Sequence, residues 1–169
     1  MALKIRPATL QDAPALAATE REIARTPGLL ASRPHELSDG KFAAKIAELA
    51  TAEGGRYLVA EMDGAIVGHA MLDPLALEVT RHVVQLTLAV HPGWQGKGIG
   101  KALLTALLAW ARAAPGVEKV ELRARSGNAV ALALYQKLGF VEEGRLQRRI
   151  RLGPGQYLDD IAMGLCLKP

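Results

Sequence analysis

Residues 91–104, HPGWQGKGIGKALL, place glycines at 96, 98 and 100 at the mouth of a leucine-rich segment. The run before them, HVVQLTLAV (82–90), is apolar and β-branched, so the order reads as strand, glycine loop, helix. The start of a helix offers backbone N–H groups with no acceptor inside the helix, and its dipole adds about half a positive charge. Glycines remove the Cβ atoms that would hold a bulky anion away. The chemistry implied is the binding of a diphosphate. Two familiar phosphate loops fail on spacing. The fingerprint G-x-G-x-x-G meets Lys101 where its third glycine belongs, and G-x-x-x-x-G-K-[ST], counted from Gly93, meets Ile99 where it needs lysine.

A second segment with chemical potential is NAVALALYQKLGF (128–140). Asn128 is placed as a helix N-cap, and Tyr135 taken alone is a core aromatic whose hydroxyl finds a partner. Groups able to take a proton are scattered. The strand 82–90 carries Gln85, Thr87 and Ala89 on one face and Leu86, Leu88 and Val90 on the other, with no carboxylate. Glu78, His82 and Asp160 are the nearest candidates, each with a surface or structural alternative. His69, inside a strand, reads as structural. The four histidines have no metal-ligand spacing, so no metal is expected.

Elements that must position these groups follow from periodicity. LKIR (3–6) reads as a strand closed by Pro7. Thr9 and Asp12 form a capping-box pattern, and Leu10, Leu16 and Ile23 support a first helix to about Arg25. Residues 26–40 are irregular, and a second helix over about 39–52 stops at Gly54–Gly55. Two strands, RYLVAEM and AIVGHAML, flank the hairpin pair Asp63–Gly64, and a loop at 74–81 leads to the 82–90 strand. Ile99, Leu103, Ala106, Leu107 and Trp110 mark one face of the next helix, which ends near Pro115–Gly116. A strand at 117–124, a helix at 128–138 and two strands around 153–155 finish the chain. The spacing predicts a single α/β domain over 1–169, with a mixed sheet antiparallel in its first half.

Of 169 residues, 50% are hydrophobic and 22% charged, enough for a core without staples. The lone cysteine, Cys166, excludes an internal disulfide and reads as a buried structural thiol. The first ten residues lack the apolar stretch of a signal peptide, and no run is long enough to span a bilayer, so a cytoplasmic protein without membrane contact is expected. The net charge of +4 is compatible with an anionic ligand. Aromatics at only 4% leave no basic-aromatic pattern, and nucleic acid is not an expected partner. Alternation within RLQRRIRL (145–152) places Arg145, Arg149 and Arg151 on one side of a strand, facing solvent, a second subunit or an anionic ligand.

The pattern Gln95-Gly96-Lys97-Gly98-Ile99-Gly100 after Val90-His91-Pro92 resembles the cofactor motif of the GNAT superfamily of N-acetyltransferases, and 128–140 resembles its second motif. The resemblance covers nearly the whole chain, because the element order is also the family's. It implies a mixed sheet of about seven strands flanked by about four helices, acetyl-CoA as co-substrate, and direct acetyl transfer to a primary amine in a ternary complex. Leu88, Ala89 and Val90 would pair with the pantetheine arm where their strand splays from its neighbour. Gln95, Gly96, Lys97, Gly98, Ile99, Gly100 and Lys101 would hold the pyrophosphate, the two lysine side chains either touching phosphate or staying solvated; Asn128 is assigned to the cofactor side as well. Tyr135 would be the general acid, since a phenol of pKa about 10 suits protonation of a thiolate.

Family members often carry a glutamate on the strand corresponding to 82–90, and its absence here leaves the base open between a water chain and Glu78, His82 or Asp160. The ending GFVEEGRLQRRIRLGPGQYLDDIAMGL resembles a subgroup acting on ribosomal-protein N-termini, polyamines and free L-amino acids, and RHVVQLTLAVHPGW looks most like the bacterial amino-acid type. Tyr157 and Asp159 match that ending; Asp159 either binds the acceptor ammonium or ties the last hairpin. A small-molecule amine acceptor and a possible homodimer are implied, with a non-catalytic acetyl-CoA sensor or a ribosomal-protein-type enzyme as alternatives.

Overall fold

Strands of alternating polarity, bounded by glycine and proline turns, join into one seven-stranded mixed sheet in the computed structural model, which describes residues 2–168. In chain order these are β1 (Leu3–Pro7), α1 (Ala13–Ile23), α2 (Asp39–Thr51), β2 (Arg56–Met62), β3 (Ala65–Pro74), β4 (Val83–Val90), α3 (Ile99–Ala113), β5 (Lys119–Arg125), α4 (Ala129–Lys137), β6 (Val141–Gly153) and β7 (Gln156–Cys166). The sheet order is β1-β2-β3-β4-β5-β7-β6. All neighbours are antiparallel except β4 and β5. No helix among the described residues is long and apolar enough to cross a membrane.

The first helix starts from a short 3-10 turn in which the Asp12 carboxylate accepts from the Thr9 backbone N–H at 2.7 Å and from Arg6 at 2.8 Å. Arg6 thereby holds the Asp12 carboxyl below its usual range, against the opposing effect of burial. Helices α1 and α2 cover one face of the sheet, where Leu16, Ile46 and Leu49 pack on Tyr57 and Val59. Helix α3 covers the other face through Ile99, Leu103, Leu104, Leu107, Leu108 and Ala111. Full burial of a leucine contributes roughly 1.5–3 kcal/mol, so this stripe holds the helix mouth firmly in place. The stripe is rotated from the expected one. Ala106 and Trp110 are only half-buried, and the Trp110 ring takes the Arg56 guanidinium 5.6 Å from its centroid.

Two further expectations are corrected near the C-terminus. Cys166 is exposed: strand alternation sets it opposite Ile161, Met163 and Leu165, which point to the core. The simple alternation of arginines in β6 also fails. Its register against β7 slips between Leu146 and Ile150, and Arg148 takes a positive φ of 52° there. Asp159 secures this bulge, accepting from the Arg148 N–H at 2.8 Å and from Arg145 Nη1 at 3.3 Å.

Candidate active site

Strands β4 and β5 run parallel only from Val83–Leu86 against Lys119–Leu122; beyond that both continue, unpaired with each other. The His91 N–H donates to Val67 O on the β3 side. By alternation, Ala89 also turns its backbone groups to β3, while Leu88 and Val90 turn theirs to the opened edge. The Val90 carbonyl accepts from Gln95 Nε2 at 3.3 Å, so the Gln95 side chain folds back on the strand.

The loop that follows holds Gly93, Gly96 and Gly98 at φ of 80°, 74° and 79°, and a Cβ added at any of the three would meet only open space. Gly98 is the N-cap of α3 in a left-handed conformation. The first helical bond is from Ala102 N–H to Gly98 O. Backbone N–H groups of 95–101 therefore lack acceptors among the described residues. Left-handed glycines, free donors and a helix N-terminus together fit a diphosphate. Ile99 is buried and anchors the loop. Lys97 lies over the Trp94 ring at 4.6 Å, and Lys101 is exposed.

A cleft of about 740 Å³ opens beside the unpaired edge. Thr87 and Leu88 from β4 and Arg123 and Arg125 from β5 form its sides, and Tyr135 of α4 with Asn128 just before that helix closes one end. Asn128 caps α4, accepting from the Ala131 N–H at 3.1 Å. Tyr135 is buried, and that burial pushes its phenol up to about 12. It therefore stays protonated across the physiological range.

The other end lies under α1 and α2 and holds a connected polar group. His69 Nδ1 is 3.0 Å from the Tyr57 hydroxyl, and His69 Nε2 is 3.0 Å from Glu20 Oε1, out of line for a good hydrogen bond. Burial pushes the Tyr57 phenol well above its usual range, with the Glu20 charge adding to the effect. His91 packs against His69 at 5.8 Å; burial, then His69, lower it to about 4, so its ring is neutral and Nδ1 donates to Ile66 O. Glu20 escaped the sequence reading although a signal existed. It continues the buried stripe Ala13, Leu16, Ala17, Glu20, Ala24, where a carboxylate has no ordinary place.

Of the other expected residues, Asp160 borders the cleft but is paired with Arg125 at 2.8 Å. Asp159 and Tyr157 lie outside its lining, Asp159 engaged with the β6 bulge and Tyr157 beneath Arg148 at 4.3 Å. Glu78 and His82 are exposed and also outside it. Arg123 and Arg149 line the cleft, exposed, with no acidic partner among the described residues.

Open α/β sheets take ligands in the crevice beyond the carboxyl ends of parallel strands, and here the crevice is the opened β4–β5 pair. The class is thus an α/β fold whose crevice suits a long phosphorylated ligand, with the buried Tyr135 phenol at one end. Residues 21–140 match the acetyltransferase (GNAT) family, and the chain belongs to it. It is an N-acetyltransferase of the acetyl-CoA-dependent kind. It is 32% identical over 115 residues to the L-amino acid N-acetyltransferase AaaT of Escherichia coli (strain K12), covering 66% of this chain and 68% of that one. Among solved structures, a ribosomal-protein-alanine N-acetyltransferase from Brucella melitensis superposes with a TM-score of 0.83 at 32% identity, over 96% of this chain and 99% of that one. The Salmonella typhimurium protein yncA, solved with its cofactor acetyl-CoA, gives 0.87 at 26% identity, over 99% and 95%.

Proposed function

We propose that this chain moves the acetyl group of acetyl-CoA to the primary amine of a small acceptor that also carries a carboxylate, with both substrates bound at once. One observation carries the reading: a single cleft joins the opened strand edge and Tyr135 to a pocket with two unpaired guanidiniums, Arg123 and Arg149. Fixed cations suit an acceptor carboxylate and disfavour a polyamine. The name of the relative AaaT points the same way.

Acetyl-CoA supplies an activated acetyl thioester. The N–H groups of 96–101 would hold its pyrophosphate, and the main chain of Leu88 and Val90 its pantetheine arm. The Leu88 N–H, aimed into the gap, is suited to the charge that develops on the thioester oxygen. The acceptor nitrogen forms the new C–N bond as the C–S bond breaks. Tyr135 gives its proton to the sulfur and recovers one from the nitrogen as the amide forms.

The test is coenzyme A release, read with a thiol reagent, over amino acids, polyamines, aminoglycosides and short peptides, with Tyr135→Phe in parallel. Release with amino acids, falling about 10²–10⁴-fold in the variant at unchanged acetyl-CoA affinity, is expected. Release only with peptides would favour a protein N-terminal acceptor. Binding of acetyl-CoA without release from any acceptor would favour a sensor.

A further inference from the structure

Among the described residues three acids are buried: Asp12, Glu20 and Asp160. Asp12 has the Arg6 guanidinium at 2.8 Å, and Asp160 has that of Arg125 at 2.8 Å. Glu20 has only an imidazole, and it borders the cleft. A carboxylate largely withdrawn from water, with no guanidinium or ammonium beside it, favours a positive ligand in the cleft it borders. The ligand that the proposed reaction brings is the acceptor's own ammonium.

We infer that Glu20 is the general base of acetyl transfer, binding the acceptor ammonium and taking its proton, while His69 and Tyr57 hold the carboxylate in position. This rests on the transferase reading above. The Tyr57 hydroxyl remains a phenol and donates to His69 Nδ1, which puts the imidazole proton on Nε2, 3.0 Å from Glu20 Oε1 but not aligned with it. The second carboxylate oxygen is then left for the substrate. The relay is assembled by the sheet: Tyr57 from β2 and His69 from β3 share the face that α1 covers, and α1 brings Glu20 down on them. It also sits on the face of Gln85 and Thr87, the β4 positions that carry no carboxylate. Charged and titratable groups around it are His91 behind His69, Lys41 and Lys45 of α2 at the cleft wall and Asp12 beyond Tyr57, with Lys41 Nζ donating to the Glu36 carbonyl at 2.8 Å. Lys45 is occupied by Asp73 and Glu48, each at 2.8 Å, and is no competitor for Glu20.

The proton step balances: the N–H bond of the ammonium breaks, Glu20 gains the proton, and the freed lone pair forms the C–N bond. The carboxyl returns its proton to solvent through the cleft.

Glu20→Gln keeps the shape and removes the base. Only acceptor already deprotonated in solution can then react, and for an amine of pKa about 10 that is roughly one part in 10³ at pH 7. The expected loss in kcat/KM is therefore about 10²–10³-fold at pH 7, recovering about tenfold per pH unit to pH 9, with acetyl-CoA affinity within twofold of wild type. A packing defect would not recover with pH. An active wild type with undiminished Glu20→Gln activity, or a loss independent of pH, overturns the role of Glu20 alone. A wild type that binds acetyl-CoA yet acetylates nothing overturns the transferase reading instead. Should Glu20→Gln fail to fold, Tyr57→Phe decides: kcat/KM is expected to fall about tenfold at unchanged acetyl-CoA affinity, and an unchanged kcat/KM refutes the relay.

Discussion

Gly98 and Gly64 make a matched pair for testing the glycine loop. Both hold a left-handed backbone, at φ of 79° and 81°, and at both an added Cβ meets open space. Gly98 caps α3 beside the free N–H groups, whereas Gly64 turns the β2–β3 hairpin. Replacement by alanine costs each the left-handed penalty of an L-residue, about 1–2 kcal/mol. For a chain of this size that lowers Tm by roughly 2–8 °C in either variant. Affinity should separate them. A methyl group at 98 intrudes on the cradle, and losing one hydrogen bond to a charged phosphate costs about 1.5–3 kcal/mol, a tenfold to hundredfold rise in Kd for acetyl-CoA. Gly64→Ala should leave Kd unchanged. Calorimetric titration with acetyl-CoA and thermal melts of both variants provide the numbers. Equal losses of affinity in the two, or none in Gly98→Ala at the expected loss of Tm, would refute the assignment of the loop to the pyrophosphate.

His91 gives an acid-side prediction. Its pKa in the folded chain is about 4 against an ordinary 6.5, so the unfolded chain binds its proton first; stability is complete above pH 6.5 and falls as the pH drops toward 4, by up to about 3 kcal/mol. His91→Gln retains a donor for the Ile66 carbonyl, and urea melts between pH 7 and 4 should show a flatter decline than wild type. Arg149→Ala should raise KM about 5–20-fold for acceptors with a carboxylate and leave amines lacking one unaffected, as read by coenzyme A release; an equal change for both kinds would remove Arg149 from acceptor recognition.

Local patterns made most of the scaffold readable. The Asp63–Gly64 turn, the helix expected at about 39–52 and found at 39–51, and the strand–loop–helix at 83–113 each declare themselves within a few residues. The opened β4–β5 edge followed from family resemblance rather than from any residue of its own. What escaped depends on relations between distant segments. Glu20 gains meaning only when β2 and β3 bring Tyr57 and His69 beneath α1. The bulge at Arg148 is decided by Asp159, eleven residues on, and erased the alternation that the arginines suggest. Cys166 looked buried from its apolar neighbours, yet its exposure is set by the face it occupies at the end of β7.

The short pairing of β4 with β5 divides the sheet into two antiparallel leaves, β1–β4 and β5–β7–β6, bound along a spine of four residue pairs. Unsatisfied strand edges ordinarily invite other chains, and they lie at the rim of a sheet. Here the rim is guarded by a five-residue β1 ending in proline and by the arginine-rich β6. The vulnerable edge is moved to the interior, where the flanking strands shield it from a passing polypeptide. A narrow, extended ligand with amide groups of its own can still enter. The opened edge is in this sense a missing length of strand, one that a molecule of that kind would complete.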